Sequence, residues 1–166
     1  LLVLVGGSCW LCNWRGYVAD QRLRNSLVRH ADLVAAQINT THVSKLSFSL
    51  EDRNNPEFLR IRQHLRAYSR TSGIRSLYSV ALRDGQMLFG PENLEENDPF
   101  ASPPGTLYRE PPAVLREVFS SHLSQLAGPY ADEYGSFISA FSPVIDARSG
   151  GVLLVTDIDA LLPEPP

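Results

Sequence analysis

Cysteine is scarce in the 166-residue sequence, and Cys9 and Cys12 lie together near its start. A structural zinc site needs four ligands, and neither a second cysteine pair nor a histidine pair at finger spacing follows this one. The CxxC spacing also lacks the βαβ context of a thioredoxin-like redox motif. We therefore expect neither a zinc module nor a thiol redox enzyme.

Basic runs and catalytic motifs are absent too. The chain has 15 Lys and Arg against 18 Asp and Glu and a net charge of -3, without the basic stripe that tracks a phosphate backbone, so no nucleic-acid partner is predicted. It has no GxSxG elbow, phosphate-binding loop or HExxH, and its four histidines are scattered. We predict a chain that is not an enzyme, with no catalytic residue, cofactor or metal.

The apolar run LLVLVGGSCWLC is shorter than the roughly 20 residues of a membrane span. Trp10, Trp14 and Arg15 mark its end, as at a membrane interface, so residues 1–14 are predicted to be the end of a transmembrane segment or an N-terminal extension. A buried N-terminal element or a piece of signal peptide is the alternative. The arginines that follow favour a cytoplasmic flank under the positive-inside rule, which leaves the orientation open.

Helical patterns occupy much of the first half of the chain. Residues 13–42 contain no proline, and apolar residues recur there at steps of three or four: Ala19, Leu23, Leu27, Ala31, Val34 and Ile38. Because this stripe is longer than a small sheet can cover, we predict a homodimer in which the N-terminal helices pair in parallel, with Leu23 and Leu27 as crosslinking positions. A second helix is predicted from the N-cap Asn55 and Pro56 to Gly73.

Strand patterns begin after Gly73. Residues 74–82 and 86–90 flank Asp84-Gly85, which predicts a hairpin. A third helix is predicted from near Pro112, through Leu115, Phe119 and Leu123, to a stop at Gly128. Three strands at 129–132, 136–145 and 152–158 complete an α+β fold: a five-stranded antiparallel sheet with helices on one face.

Residues 90–112 form a connection far longer than usual, rich in Pro and Glu. We predict that it is a lid over the sheet with Tyr108 pointing inward. Disorder is the alternative.

This order of elements, ending in GPYADEYGSFISAFSPVIDARSGGVLLVTDID, resembles the PAS-like extracytoplasmic sensor domains of the Cache type, which occur on sensor histidine kinases and related receptors. The resemblance covers about residues 17–160. It implies a small ligand held between the sheet and the long loop, a receptor anchored in the membrane by flanking helices, and a periplasmic or extracellular position. We accordingly assign residues 15–160 to the sensor domain and 161–166 to a linker.

The resemblance also implies ligand-binding residues. In its amine-binding and amino-acid-binding members, a Tyr and an Asp on the third strand and an Asp at the end of the fifth hold the ammonium group, and Tyr130, Asp132 and Asp157 match these positions. Those members hold a carboxylate with an Arg and aromatic residues in the crossing segment. Here TLYREPPAVL departs from that pattern and offers Tyr108 and Arg109, so the resemblance does not carry amino-acid specificity.

The residues themselves favour a small ligand with a positively charged or strongly hydrogen-bond-donating group. Tyr130 and Asp132 alternate on one strand and so share a face, and two carboxylates beneath an aromatic wall would be costly to bury unpaired. Tyr78 and Ser139 join the candidate ligand-binding residues, although the serines of the fourth strand could equally form a solvent-facing polar edge. A ligand-free dimerisation module and a hydrolase with a metal-binding carboxylate site are the competing interpretations.

Overall fold

The computed structural model describes residues 2–132 and 135–162, with side chains for residues 20–130 and 136–162. In chain order the elements are α1 (Leu2–Gln37), α2 (Thr40–Val43), a 3-10 helix (Leu50–Asn54), α3 (Pro56–Ser72), β1 (Ser76–Arg83), β2 (Gln86–Glu92), α4 (Ala113–Ser121), β3 (Gln125–Asp132), β4 (Gly135–Ile145) and β5 (Val152–Leu161).

The five strands form one antiparallel sheet in the order β2-β1-β5-β4-β3, which confirms the predicted α+β fold. Side chains alternate between its two faces. Leu77, Ala140 and Ile158 pack with α1 and α3 on one face, whereas Val80, Phe141 and Val155 pack with α4 on the other. The prediction that all helices lie on one face is therefore wrong, because α4 has its own apolar side and needs a separate surface to bury it.

The apolar stripe of α1 packs on the sheet of its own chain. Leu27 is 6% exposed, and Ala31, Val34 and Ile38 are also buried, whereas Leu23 is 36% exposed. Leu27 is therefore covered by its own chain in this arrangement, and crosslinking at this position stays a prediction. Pairing through Leu23 stays a prediction. The helix also ends earlier than expected, at Gln37, and the short helix α2 begins at Thr40.

The second predicted helix and the hairpin are confirmed. The Asn55 side chain accepts from the backbone N–H of Glu57 at 2.9 Å, and Gly73 closes α3 in the left-handed region at φ 73°. Asp84 and Gly85 have φ of 50° and 78°, the two positive values that a type I′ turn requires.

The boundary between α4 and β3 differs from the prediction. The helix ends at Ser121 with His122 left-handed at φ 61°, and Leu123 is 64% exposed. Gly128 lies inside β3, where the register with β4 shifts and φ is 103°. A Cβ at this position would lie 2.5 Å from the Phe137 carbonyl oxygen. The glycine therefore permits a bulge in the strand and does not end a helix.

The N-terminal segment is helical in backbone from Leu2 onward. Within residues 2–132 and 135–162, no helix combines the length and the apolar character that crossing a membrane requires. The assignments of residues 1–14, 15–160 and 161–166 to separate units stay predictions.

Candidate functional site

A row of cross-strand neighbours runs over the whole sheet on the face that α4 covers. It reads Glu92 on β2, Tyr78 on β1, Asp157 on β5, Phe141 on β4 and Gln125 on β3. Because cross-strand partners project to the same side, this row places a tyrosine and two carboxylates together. Its centre is Asp157, on the middle strand of the sheet.

Asp157 is fully buried, and neither of its carboxylate oxygens has a partner at a good hydrogen-bond distance and angle, although the Tyr78 hydroxyl and the Asp159 carboxylate lie close to it. Burial raises its pKa well above the usual value, and the nearby charge of Asp159 adds to this, while the Tyr78 hydroxyl opposes it. A buried carboxylate without a partner is costly, so this group is either protonated or neutralised by a cation.

A second acidic group lies two residues further along β5, on the same face. Asp159 accepts hydrogen bonds from the hydroxyls of Ser139 at 2.5 Å and Ser76 at 3.0 Å. The Tyr130 hydroxyl lies 2.7 Å from that of Ser139, and the pKa of Tyr130 is raised by burial and then by the charge of Asp159. Tyrosine, serine and aspartate thus form a continuous polar chain beside Asp157.

Aromatic rings surround these polar groups. The ring centroids of Tyr78 and Phe89 lie 5.6 Å apart, and Phe89 stacks on Tyr108 at 4.8 Å. Burial and then the charge of Asp157 raise the pKa of Tyr78 well above its usual value. On the β3–β4 side of the site, the ring centroids of Tyr130 and Phe137 lie 6.2 Å apart. Aromatic rings therefore lie near Asp157 and Asp159, and the predicted aromatic wall above Asp132 and Asp157 stays a prediction.

Residues 93–112, called here the crossing segment, run from the end of β2 back along its free edge. Backbone N–H groups join the two: Phe89 donates to Thr106 at 2.9 Å, Gly105 to Phe89 at 2.8 Å and Tyr108 to Met87 at 2.8 Å. These bonds order the segment and turn Tyr108 inward, as predicted for a lid. They favour an ordered segment over disorder, and its role as a lid over the sheet stays a prediction.

Two arginines of α3 hold the start of the crossing segment. Arg62 and Arg66 both donate to the carbonyl oxygen of Leu94, at 2.7 and 3.0 Å, and pair with Glu96 and Glu95 respectively. The segment is therefore fixed to α3 at one end and to β2 at the other.

Gly105→Ala should loosen the crossing segment. Gly105 has φ 80°, and a Cβ there would lie 2.6 Å from the Ser49 Cα, so alanine adds both backbone strain and a clash with main chain. We expect a loss of about 1–3 kcal/mol in the free energy of unfolding, measured by urea denaturation. Gly150→Ala is the control, because Gly150 has a similar φ of 72° but nothing within 4 Å of its Cβ position. Equal losses in the two variants would contradict close packing of the segment.

The structure brings together five of the six predicted binding residues: Tyr78, Tyr108, Tyr130, Ser139 and Asp157. Asp132 is the last residue of β3, and its side chain lies outside the described residues. The serines of β4 do not form a solvent-facing edge, because Ser139 is fully buried and Ser142 is 3% exposed. Arg109 is exposed.

Asp159 and Glu92 were missed as candidate binding residues. Asp159 follows Asp157 at a spacing of two residues along one strand, which already places both side chains on one face. Nothing local in the sequence marked Glu92. Within the described chain, no group of three or more His, Cys, Asp and Glu side chains is placed to hold a metal ion.

Two shallow cavities lie away from this site. One of about 230 Å³ is lined by residues of α1, α2 and α3, including His42 and His64, and one of about 250 Å³ lies between α1 and the end of β4. Neither contains the buried unpaired carboxylate, so we place the candidate site at Asp157.

No family model matches the sequence, and no curated protein matches it. Among solved structures it is similar to the ligand-binding domain of the Campylobacter jejuni chemoreceptor Tlp3. The complex with L-norvaline matches with a TM-score of 0.54 at 14% identity, over 87% of this chain and 52% of that one. The complex with L-valine matches with a TM-score of 0.52 at 16% identity, over 87% and 54%.

The chain therefore has the PAS-like fold of Cache-type sensor domains, as the sequence resemblance predicted. At this identity the likeness establishes the fold. The chain spans about half the length of the chemoreceptor domains that it matches.

Proposed function

We propose that this chain is an extracytoplasmic sensing domain that binds a small molecule with a protonated amine. The observation that carries the proposal is Asp157, fully buried without a well-formed hydrogen bond to either carboxylate oxygen and with a second acid, Asp159, beside it. Within the described residues, Asp157 takes part in no ion pair.

An ammonium group fits the needs of these carboxylates. It supplies positive charge and several N–H donors, so it would replace an unpaired buried acid with charge-assisted hydrogen bonds. The rings of Tyr78, Tyr108 and Tyr130 around the site add faces that attract a cation. Tlp3 has been crystallised with L-valine and L-norvaline, which carry such a group, and this agrees with the ligand class proposed.

The receptor context is part of the proposal. Residues 1–14 would continue into a transmembrane helix, with the domain in the periplasm or outside the cell and an output unit such as a sensor histidine kinase inside it. A ligand would signal by binding one arrangement of the crossing segment and α1 better than another, and it could shift their equilibrium only by that difference in affinity. Pairing of α1 through Leu23 would carry the shift to a second copy.

Binding of amines tests the proposal. The domain would be screened by thermal shift against primary amines and amino acids, each beside the analogue of the same carbon skeleton without the amine. We expect stabilisation by one amine class and none by its analogues. By calorimetric titration, Asp157→Asn should weaken that binding about 10- to 100-fold, which corresponds to the ~1.5–3 kcal/mol of a hydrogen bond to a charged group.

Asp32→Asn is the matched control. Asp32 accepts from the hydroxyls of Ser124 and Ser142 at the opposite, α1 side of the sheet, so this change should leave the affinity unaltered. If no amine binds, or if Asp157→Asn binds it as tightly as the wild type, the proposal fails. The ligand-free dimerisation module would then be the better interpretation.

A further inference from the structure

Asp159 is the more exposed of the two acids that β5 brings to the candidate site. It is partly exposed, whereas Asp157, two residues before it, is fully buried. Strand residues at this spacing project to the same face, with their Cα atoms about 7 Å apart. The strand therefore carries one carboxyl group in the interior and a second one nearer to solvent, and a cation that enters along this line meets Asp159 first.

A second cross-strand row fixes the position of Asp159. It reads Ser76 on β1, Asp159 on β5, Ser139 on β4 and Ala127 on β3, next to the row that contains Asp157. Ser139 and Ser76 each donate to one of its carboxylate oxygens, at 2.5 and 3.0 Å. These hydroxyls orient the carboxylate but bring no positive charge. Because a carboxylate has about four acceptor sites, the two serines leave part of this capacity for a ligand.

The charged side chains that the strands place on this face of the sheet are acidic. Among the described strand residues they are Glu92, Asp157 and Asp159. Burial raises the pKa of Asp157 most and the charge of Asp159 comes next, so the two carboxyl groups are close enough to repel each other. A single ammonium group would offset one of these two charges, and a carboxylate on the ligand would add a third negative charge beside them.

We propose that Asp159 is a second cation-binding residue and that the ligand is a short diamine without a carboxylate, with one ammonium group at Asp157 and the other at Asp159. The inference rests on the proposed function, that Asp157 binds a protonated amine. Two ammonium groups match the two carboxylates in charge and give each of them charge-assisted hydrogen bonds. The Tyr130 hydroxyl lies 2.7 Å from that of Ser139, which places an aromatic ring near the second ammonium group.

Three amines with one carbon skeleton test the diamine. The full chain would be titrated calorimetrically with 1,4-diaminobutane, with butylamine, which lacks the second amine, and with ornithine, which adds a carboxylate to the diamine. We expect 1,4-diaminobutane to bind at least about tenfold more tightly than either of the others, which exceeds the statistical advantage of two identical amines.

Asp159→Asn should remove most of this preference, because asparagine keeps an acceptor oxygen for the serines but carries no charge. Glu117→Gln, which removes an exposed carboxylate of α4, is the matched control and should leave the preference intact.

Equal affinities for 1,4-diaminobutane and either of the other amines, or an unchanged preference in Asp159→Asn, would overturn the assignment of Asp159. Absence of binding by all three compounds would overturn it as well. The proposed function has a separate test, since it fails only if the wider screen finds no amine ligand or if Asp157→Asn binds that ligand as tightly as the wild type.

Discussion

Asp157→Asn is expected to make the ligand-free domain more stable than the wild type at pH 8 and to flatten the dependence of its stability on pH. Because burial and Asp159 raise the pKa of Asp157 in the folded state, the folded protein holds this proton more tightly than the unfolded chain. The stabilisation from this proton is fully present below about pH 3.9, the pKa of an aspartate in the unfolded chain. It is lost as the pH rises through the pKa of Asp157 in the folded protein. Asparagine has about the same size as aspartic acid but cannot ionise, so the variant should not lose this stabilisation as the pH rises.

Urea denaturation from pH 4 to pH 8 would measure this change. Asp146→Asn is the control, because ionisation of Asp146 should have the opposite effect on stability. Hydrogen bonds from Ser149 and Arg148 lower the pKa of Asp146, so its ionised form stabilises the fold above about pH 4. We expect Asp146→Asn to be no more stable than the wild type at pH 8. A loss of stability in Asp157→Asn at pH 8, equal to or larger than that of the control, would mean that Asp157 is charged and satisfied in the free domain.

Phe141→Ala should cost about 3–5 kcal/mol in the free energy of unfolding. The side chain is fully buried on β4, next to Asp157 in the cross-strand row, and packs with Val80, Leu115 and Val155 beneath α4. Its removal leaves a cavity under the candidate site that the sheet cannot close. The loss would be measured by chemical denaturation at pH 5.

Leu123→Ala supplies the comparison for this core substitution. Leu123 follows α4 and is 64% exposed, so its replacement should change stability by less than about 0.5 kcal/mol. Similar effects of the two substitutions would show that α4 does not close a packed layer on this face of the sheet.

Elements with a local cause could be predicted from the sequence. The cap at Asn55, the stop at Gly73 and the turn at Asp84-Gly85 each depend on neighbouring residues, and the structure confirms all three. Gly128 was misread because its conformation is set by the Phe137 carbonyl on another strand. The burial of Leu27 against its own sheet could not be predicted, because the same stripe can cover a sheet or a partner helix.

Some residues of the candidate site could likewise be predicted from the sequence, whereas others depend on distant contacts. Asp157 and Tyr130 came from the resemblance to known sensor domains, and alternation along the strand would have added Asp159. Glu92 could not be found, because its hydrogen bond is to the backbone of Ser102, a loop residue ten positions away. The predicted role of Tyr108 followed from loop length, whereas its stacking on Phe89 required the register of the crossing segment along β2.

A crystal structure of the domain grown with the amine that most raises its melting temperature would test the central claim most directly. The account predicts the amine nitrogen within hydrogen-bond distance of the Asp157 carboxylate, beside Asp159 and beneath the crossing segment, with the tyrosine rings around it. An amine bound in either cavity near α1, with Asp157 still buried and unpaired, would contradict it.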